Sequence, residues 1–174
     1  KIGVKNMKTN LSNLMNIVVE EERKFSSYGY ELKEYAYNTS TQELDGTVNI
    51  IEDYKEDFTK DFEEYKKTQE KITKIKSMIF QKNNTFKLPD GRTIQEALVD
   101  NTNLRKMKNL YNYLLSQKSV KKRVTEVNNS YFECKTINFD INQIREEYEI
   151  LEKKIQDTDF EISKLNSIEF EIDI

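Results

Sequence analysis

The chain has 174 residues, with 28 Lys and Arg against 31 Asp and Glu, a net charge of −3 and no histidine. This mild acidity excludes a general affinity for nucleic acid or anionic membranes, so any anion site has to be local. The commonest general base and metal ligand is missing, and the one cysteine, Cys134, excludes a disulfide framework and a cysteine-based zinc cluster.

Four glycines and one proline favour long regular elements over loops, and 34% charged residues suit helices that bury a single stripe. No apolar run approaches the roughly 18 residues of a membrane span, and no signal-peptide core is visible. The expectation is a cytoplasmic protein with no membrane partner. Residues 1–6 carry no periodicity and are expected to be a flexible extension; residues 7–174 are expected to form one helical domain.

The first helix is predicted from Leu11, Leu14, Val18, Phe25, Tyr28, Leu32 and Tyr35, which follow a three-four spacing. Gly29 within it reads as a close-packing point, since glycine there costs about 1 kcal/mol against alanine. Asn38 to Thr47 reads as a polar connector. Ile51, Phe58, Tyr65, Ile72 and Ile79 then recur every seven residues and predict a second helix to about Gln81, with Tyr54, Phe62 and Ile75 filling its seam. Two long helices with a short link should pack antiparallel.

Asn83 to Thr93 is the most specific stretch. Pro89 presets φ, Asp90 can accept from nearby backbone N–H groups and Gly91 accepts positive φ, so Pro-Asp-Gly reads as a tight turn. Thr93-Ile94-Gln95-Glu96 is a capping box opening a third helix to about Ser116. Its buried face is expected to include Ile94, Ala97, Leu98, Leu104, Met107, Leu110, Tyr111 and Leu114. Asn101 falls near this stripe, where it could set register or touch a ligand.

Beyond the basic run Lys118, Lys121, Lys122 and Arg123 the period changes to two. Val124 to Val127 and Tyr131 to Ile137 read as a β-hairpin around Asn128-Asn129-Ser130, with Cys134 a strand residue. Asp140 caps a fourth helix whose seam runs Ile141, Ile144, Tyr148, Leu151, Ile155, Thr158, Ile162 and Leu165. This seam looks long enough for self-association. Ile168 to Ile174 alternates apolar and acidic residues and reads as a terminal strand, pairing with the hairpin or another subunit. The fold class is therefore mainly α: long antiparallel helices with a small β-hairpin and a C-terminal strand.

With this order of elements in place, the chain resembles the septicolysin-like family of small helical proteins of bacteria and phages. The residues that carry the resemblance are Asn84-Thr85, Leu88-Pro89-Asp90-Gly91-Arg92-Thr93-Ile94, Glu96-Ala97-Leu98 and Leu104-Arg105, then Ile137 to Ile144 and Lys154-Ile155-Gln156. Asn101-Thr102 stands where a charged Arg-Asp pair is expected. The family name implies a haemolysin, but no segment here could line or span a bilayer.

Arg92 leads the functional candidates, because a guanidinium beside a helix N-terminus can grip a phosphate with two prongs. Lys87 lies across the same turn, and the first N–H groups after Thr93 need acceptors. The alternative is that Arg92 pairs with Asp90 and braces the turn. Arg105, Lys108 and Tyr111 along the third helix, with Lys121, Lys122, Arg123 and Tyr131 from the hairpin, complete the candidate set. There is no Walker A loop, GxGxxG, HExxH or histidine-activated nucleophile, so no catalytic residue, metal site or cofactor is expected. The leading expectation is a non-enzymatic, self-associating protein that sequesters a small anionic ligand. A nucleotide or cyclic nucleotide signal fits, as in a phage protein that counters host defence. The alternative is a helical interaction or scaffold module without a ligand.

Overall fold

The computed structural model describes residues 6–173, and of Asn6, Met7 and Asp173 the backbone alone. Residues 1–5 of the expected extension and Ile174 of the expected terminal strand lie outside the described residues. Asn6 itself already belongs to a strand. The fold is mainly helical, with four helices and three small antiparallel strand pairs among the described residues. The chain packs as two compact units: one from the described residues up to Phe86 together with those from Leu165 onward, the other from Lys87 to Lys164.

In the first unit, strand β1 (Asn6–Thr9) leads into helix α1 (Leu11–Glu34), whose N-cap Asn10 accepts from the Asn13 N–H at 2.8 Å. Strands β2 (Thr39–Gln42) and β3 (Val48–Glu52) follow, then helix α2 (Lys55–Thr85). Helices α1 and α2 pack together around Leu14, Val18 and Ile75, with Ile172 from the end of the chain closing the same core. Phe25 of α1 stacks on Tyr65 of α2 at 4.2 Å, and Tyr35 stacks on Tyr54 at 5.0 Å just beyond the ends of the two helices.

Three expectations change here. The polar connector is a β-hairpin: Asp45 accepts from Thr47 N–H, and Gly46 takes φ +90, which only glycine adopts without strain. Ile51 and Tyr54 therefore precede α2, because the chain is still extended at Glu52. Within the chain the terminal strand β6 (Phe170–Asp173) pairs antiparallel with β1, Met7 opposite Ile172, and not with the expected hairpin.

Glu21 lies in the α1 seam at 6% exposure, filling the gap between Val18 and Phe25. Lys24 and Lys71 both donate to its Oε1, at 2.9 and 3.0 Å. These two hydrogen bonds, against the opposing cost of burial, hold its carboxyl below the usual value of 4.5.

In the second unit, helix α3 (Ile94–Ser116), strands β4 (Val120–Glu126) and β5 (Asn129–Lys135) and helix α4 (Ile141–Asn166, its last two residues counted with the first unit) follow in order. Asp140 caps α4 by accepting from Asn142 N–H at 2.8 Å. Leu151, Ile155, Thr158 and Ile162 of the α4 seam are buried within the chain, so this stretch is not left open for a partner. On α3, Ile94, Ala97 and Asn101 are buried, whereas Leu98, Met107 and Leu110 are exposed: the buried stripe is narrower than the apolar pattern.

Two measurements check this packing. A Cβ built on Gly29 meets the Tyr65 ring at 3.6 Å, an ordinary contact, so the packing there leaves room for a methyl group. Gly29→Ala should raise stability by about 0.5–1 kcal/mol, and the melting temperature by about 1–4 °C; a fall would show that the helices do need glycine at this point. The lowered pKa of Glu21 means its contribution is complete above the unfolded-state value and is lost as pH falls through the folded one. Melting temperatures between about pH 7 and pH 3 should therefore drop more for the native chain than for Glu21→Gln; parallel curves would refute the buried ion pair.

Candidate functional site

The loop before α3 is built as its residues dictate. Gly91 takes φ +88, its N–H donates to Leu88 C=O at 2.9 Å, and Leu88 N–H donates to Arg92 C=O at 2.8 Å. Lys87 and Thr93 form an isolated antiparallel bridge across the turn. Thr93 Oγ1 accepts from Glu96 N–H at 3.2 Å while Glu96 accepts from Thr93 N–H at 2.7 Å, which completes the capping box. That backbone hydrogen bond pulls the Glu96 carboxyl below its ordinary value.

Arg92 is fully engaged by carboxylates. Nε and Nη2 donate to Asp90 Oδ2 at 2.9 and 2.6 Å, and Nη1 donates to Asp100 Oδ2 at 2.6 Å. The side-chain bonds from Arg92 lower the Asp90 pKa, and Asp90 and Asp100 together raise that of Arg92. The guanidinium closes the turn and ties it to the second turn of α3. An incoming phosphate would have to displace two carboxylates already held at charge-assisted distances.

The other α3 candidates turn toward α4. Asn101, at 0% exposure, donates from Nδ2 to Asp159 Oδ1 at 2.8 Å and to the Ile155 carbonyl at 3.4 Å. Arg105 Nη2 donates to both Asp159 oxygens, at 2.8 and 2.7 Å. Lys108 pairs with Glu152, which raises the lysine pKa, and Tyr111 donates to Glu147 at 2.9 Å, which raises the phenol pKa. These four residues form one ladder between α3 and α4. Sequence reasoning named every α3 member and none of the carboxylate partners, Asp159, Glu152 and Glu147. Each lies close to the α4 seam, and that position was the available signal.

The hairpin candidates stand elsewhere. Arg92 precedes α3 and the hairpin leaves its far end, roughly 35 Å of helix away. The strands are exposed almost throughout and do not fold back to extend a pocket. In β4 and β5, Lys121 faces Cys134, Lys122 faces Glu133, Arg123 faces Phe132 and Val124 faces Tyr131. Because side chains alternate, Lys121, Arg123 and Phe132 share one face, while Lys122, Glu133 and Tyr131 lie on the other. Lys121 Nζ sits 4.4 Å from the Phe132 ring centroid and Arg123 Nε donates to Ser130 at 2.9 Å. Strand β4 thus begins at Val120, ahead of the expected start at Val124, and takes in Lys121, Lys122 and Arg123; the turn is Val127-Asn128 in place of Asn128-Asn129-Ser130.

Among the described residues no group of three or more Cys, Asp or Glu could hold a metal ion, and no helix is long and apolar enough to cross a membrane.

Residues 47–170 match the model of a family of unknown function (DUF6847). Among solved structures, the chain is similar to a functionally unknown conserved protein from Corynebacterium diphtheriae, with a TM-score of 0.61 and 20% identity over 94% of this chain and 99% of that one. At that identity the likeness concerns the fold alone. No curated protein matches the chain.

The α3–α4 ladder and the Arg92 brace respond differently to truncation. Asn101→Ala removes a buried donor and should cost about 1–3 kcal/mol. Arg92→Ala removes a pair whose carboxylates are half exposed and should cost no more than about 1 kcal/mol. Denaturant titrations of both variants check the order; an Arg92→Ala loss exceeding that of Asn101→Ala would reverse the assignment.

Proposed function

We propose that the chain, which belongs to the DUF6847 family, is a non-enzymatic helical interaction module built from two long antiparallel helical hairpins, each tipped by a β-hairpin. One observation carries this reading. Both β-hairpins are two-stranded sheets with apolar side chains turned to solvent: Val48, Ile50 and Ile51 at 56–65% exposure on one, Val120 and Phe132 at 54% and 57% on the other. An isolated two-stranded sheet is at best marginally stable in water and gains from a surface that covers it. The α3 cations support the same reading, since Arg92, Arg105 and Lys108 each meet a carboxylate of their own unit.

A second reading rests on the hairpin itself. Lys121 and Arg123 beside Phe132 present two cations and an aromatic ring on one exposed face, a chemistry that suits a small anion with a stackable base. Sequestration of a nucleotide-type ligand, in a phage or bacterial cytoplasm, then belongs to this face and not to the turn at Arg92. The resemblance of the loop to septicolysin-like proteins stays part of the proposal.

Light scattering and thermal melting separate the two. The interaction reading expects a species heavier than one 20.8 kDa chain and melting temperatures unmoved by nucleotides. A ligand at about 100 times its dissociation constant adds about 2.7 kcal/mol, roughly 5–10 °C for a chain of this size. A rise of that order with a nucleotide or cyclic nucleotide, in a one-chain species, would overturn the interaction reading in favour of sequestration.

A further inference from the structure

The two β-hairpins differ sharply in charge. The segment 38–53 that forms the first carries four carboxylates, Glu43, Asp45, Glu52 and Asp53, and no lysine or arginine. The segment 118–135 that forms the second carries five cations and two carboxylates. Both are exposed on both faces. On the first, Val48 and Ile50 share one face with Gln42 and Ser40; the bulge between Thr39 and Ser40 turns Glu52, which pairs with Thr39, to the opposite face, and Glu43 alternates to that same face. On the second, the face of Lys121, Arg123 and Phe132 holds two cations and no carboxylate.

From this complementarity we infer that the acidic β2–β3 hairpin of one copy docks on the Lys121–Arg123–Phe132 face of the β4–β5 hairpin of a second copy. The inference rests on the interaction-module reading and names its partner. Glu43 and Glu52, which share the face of the first hairpin away from Val48 and Ile50, meet Lys121 and Arg123. Opposite charge speeds encounter and rejects the wrong pairings, acidic on acidic and basic on basic. One hairpin face is small beside the roughly 1,600 Å² of a standard interface.

The test uses the full chain and a charge swap. One variant carries Lys121→Glu and Arg123→Glu, the other Glu43→Lys and Glu52→Lys. All four positions are exposed, and circular dichroism confirms that the helices remain. The native chain should run at twice the 20.8 kDa chain mass or more by light scattering. Each variant alone should associate at least about tenfold more weakly, because like charges then face one another. Mixing the two variants should restore the native mass, since a junction between the two variants again joins opposite charges. Native mass kept by both variants alone would overturn the hairpin junction while leaving self-association through another surface intact. A native chain of one-chain mass would overturn the pairing altogether. If, in addition, about 1 mM ATP raised its melting temperature only with Lys121 and Arg123 present, the basic face would be a small-anion site and the module reading would fall with the pairing.

Discussion

Glu21 lies between Lys24 and Lys71 in the seam of α1 and α2, and Asn101 lies against Asp159 in the seam of α3 and α4. The register of each helix pair depends on these two placements. Each seam is apolar but narrow, and apolar side chains slide past one another at modest cost. A polar group in the middle is different: it has a partner at one register and none when the pair slips by a turn. A slip would strand a buried carboxylate or amide, at a cost comparable to several lost apolar contacts.

This constraint shapes the surface as well. Arg105, Lys108 and Tyr111 are drawn inward to Asp159, Glu152 and Glu147, and Arg92 is drawn to Asp90 and Asp100. The cations Arg92, Arg105 and Lys108 are held in structural pairs. The hairpins escape the constraint because, among the described residues, their strands are exposed almost throughout. Their charges and apolar side chains remain available, and the two hairpins carry opposite sign. The proposed function accordingly rests on the two hairpins and not on the turn at Arg92.

The parts that were legible beforehand share a physical cause. The capping box at Thr93, the αL glycine at 91 and the Asp140 cap are local: the residues that make them lie within four positions of one another. The α4 seam is legible because a three-four alternation has one interpretation when it runs eight positions without a break. The β2–β3 hairpin was hidden because β2, Thr39-Ser40-Thr41-Gln42, has no apolar residue to alternate, and Ile51 of β3 also fits the seven-residue repeat of the helix that follows. Strand β1 was hidden for a different reason. Four residues have no pattern of their own, and its partner β6 lies at the opposite end of the chain.

The sequence by itself determined the helical class, the turn and cap chemistry around Pro89 to Glu96, the start of α4 and the composition of both hairpins, because each follows from neighbours along the backbone. Only the tertiary structure decided which residue meets which. It set Ile172 beside Leu14 and Ile75, Lys71 against Glu21, and Asp159 between Asn101 and Arg105. It also decided that the basic run at Lys121 to Arg123 is a strand with two distinct faces. These contacts join residues 50 positions apart or more, and a local pattern carries no information about a partner that distant. A charged side chain on an amphipathic helix looks the same in sequence whether it faces water or a counter-charge, and the packing of the second helix settles which it is.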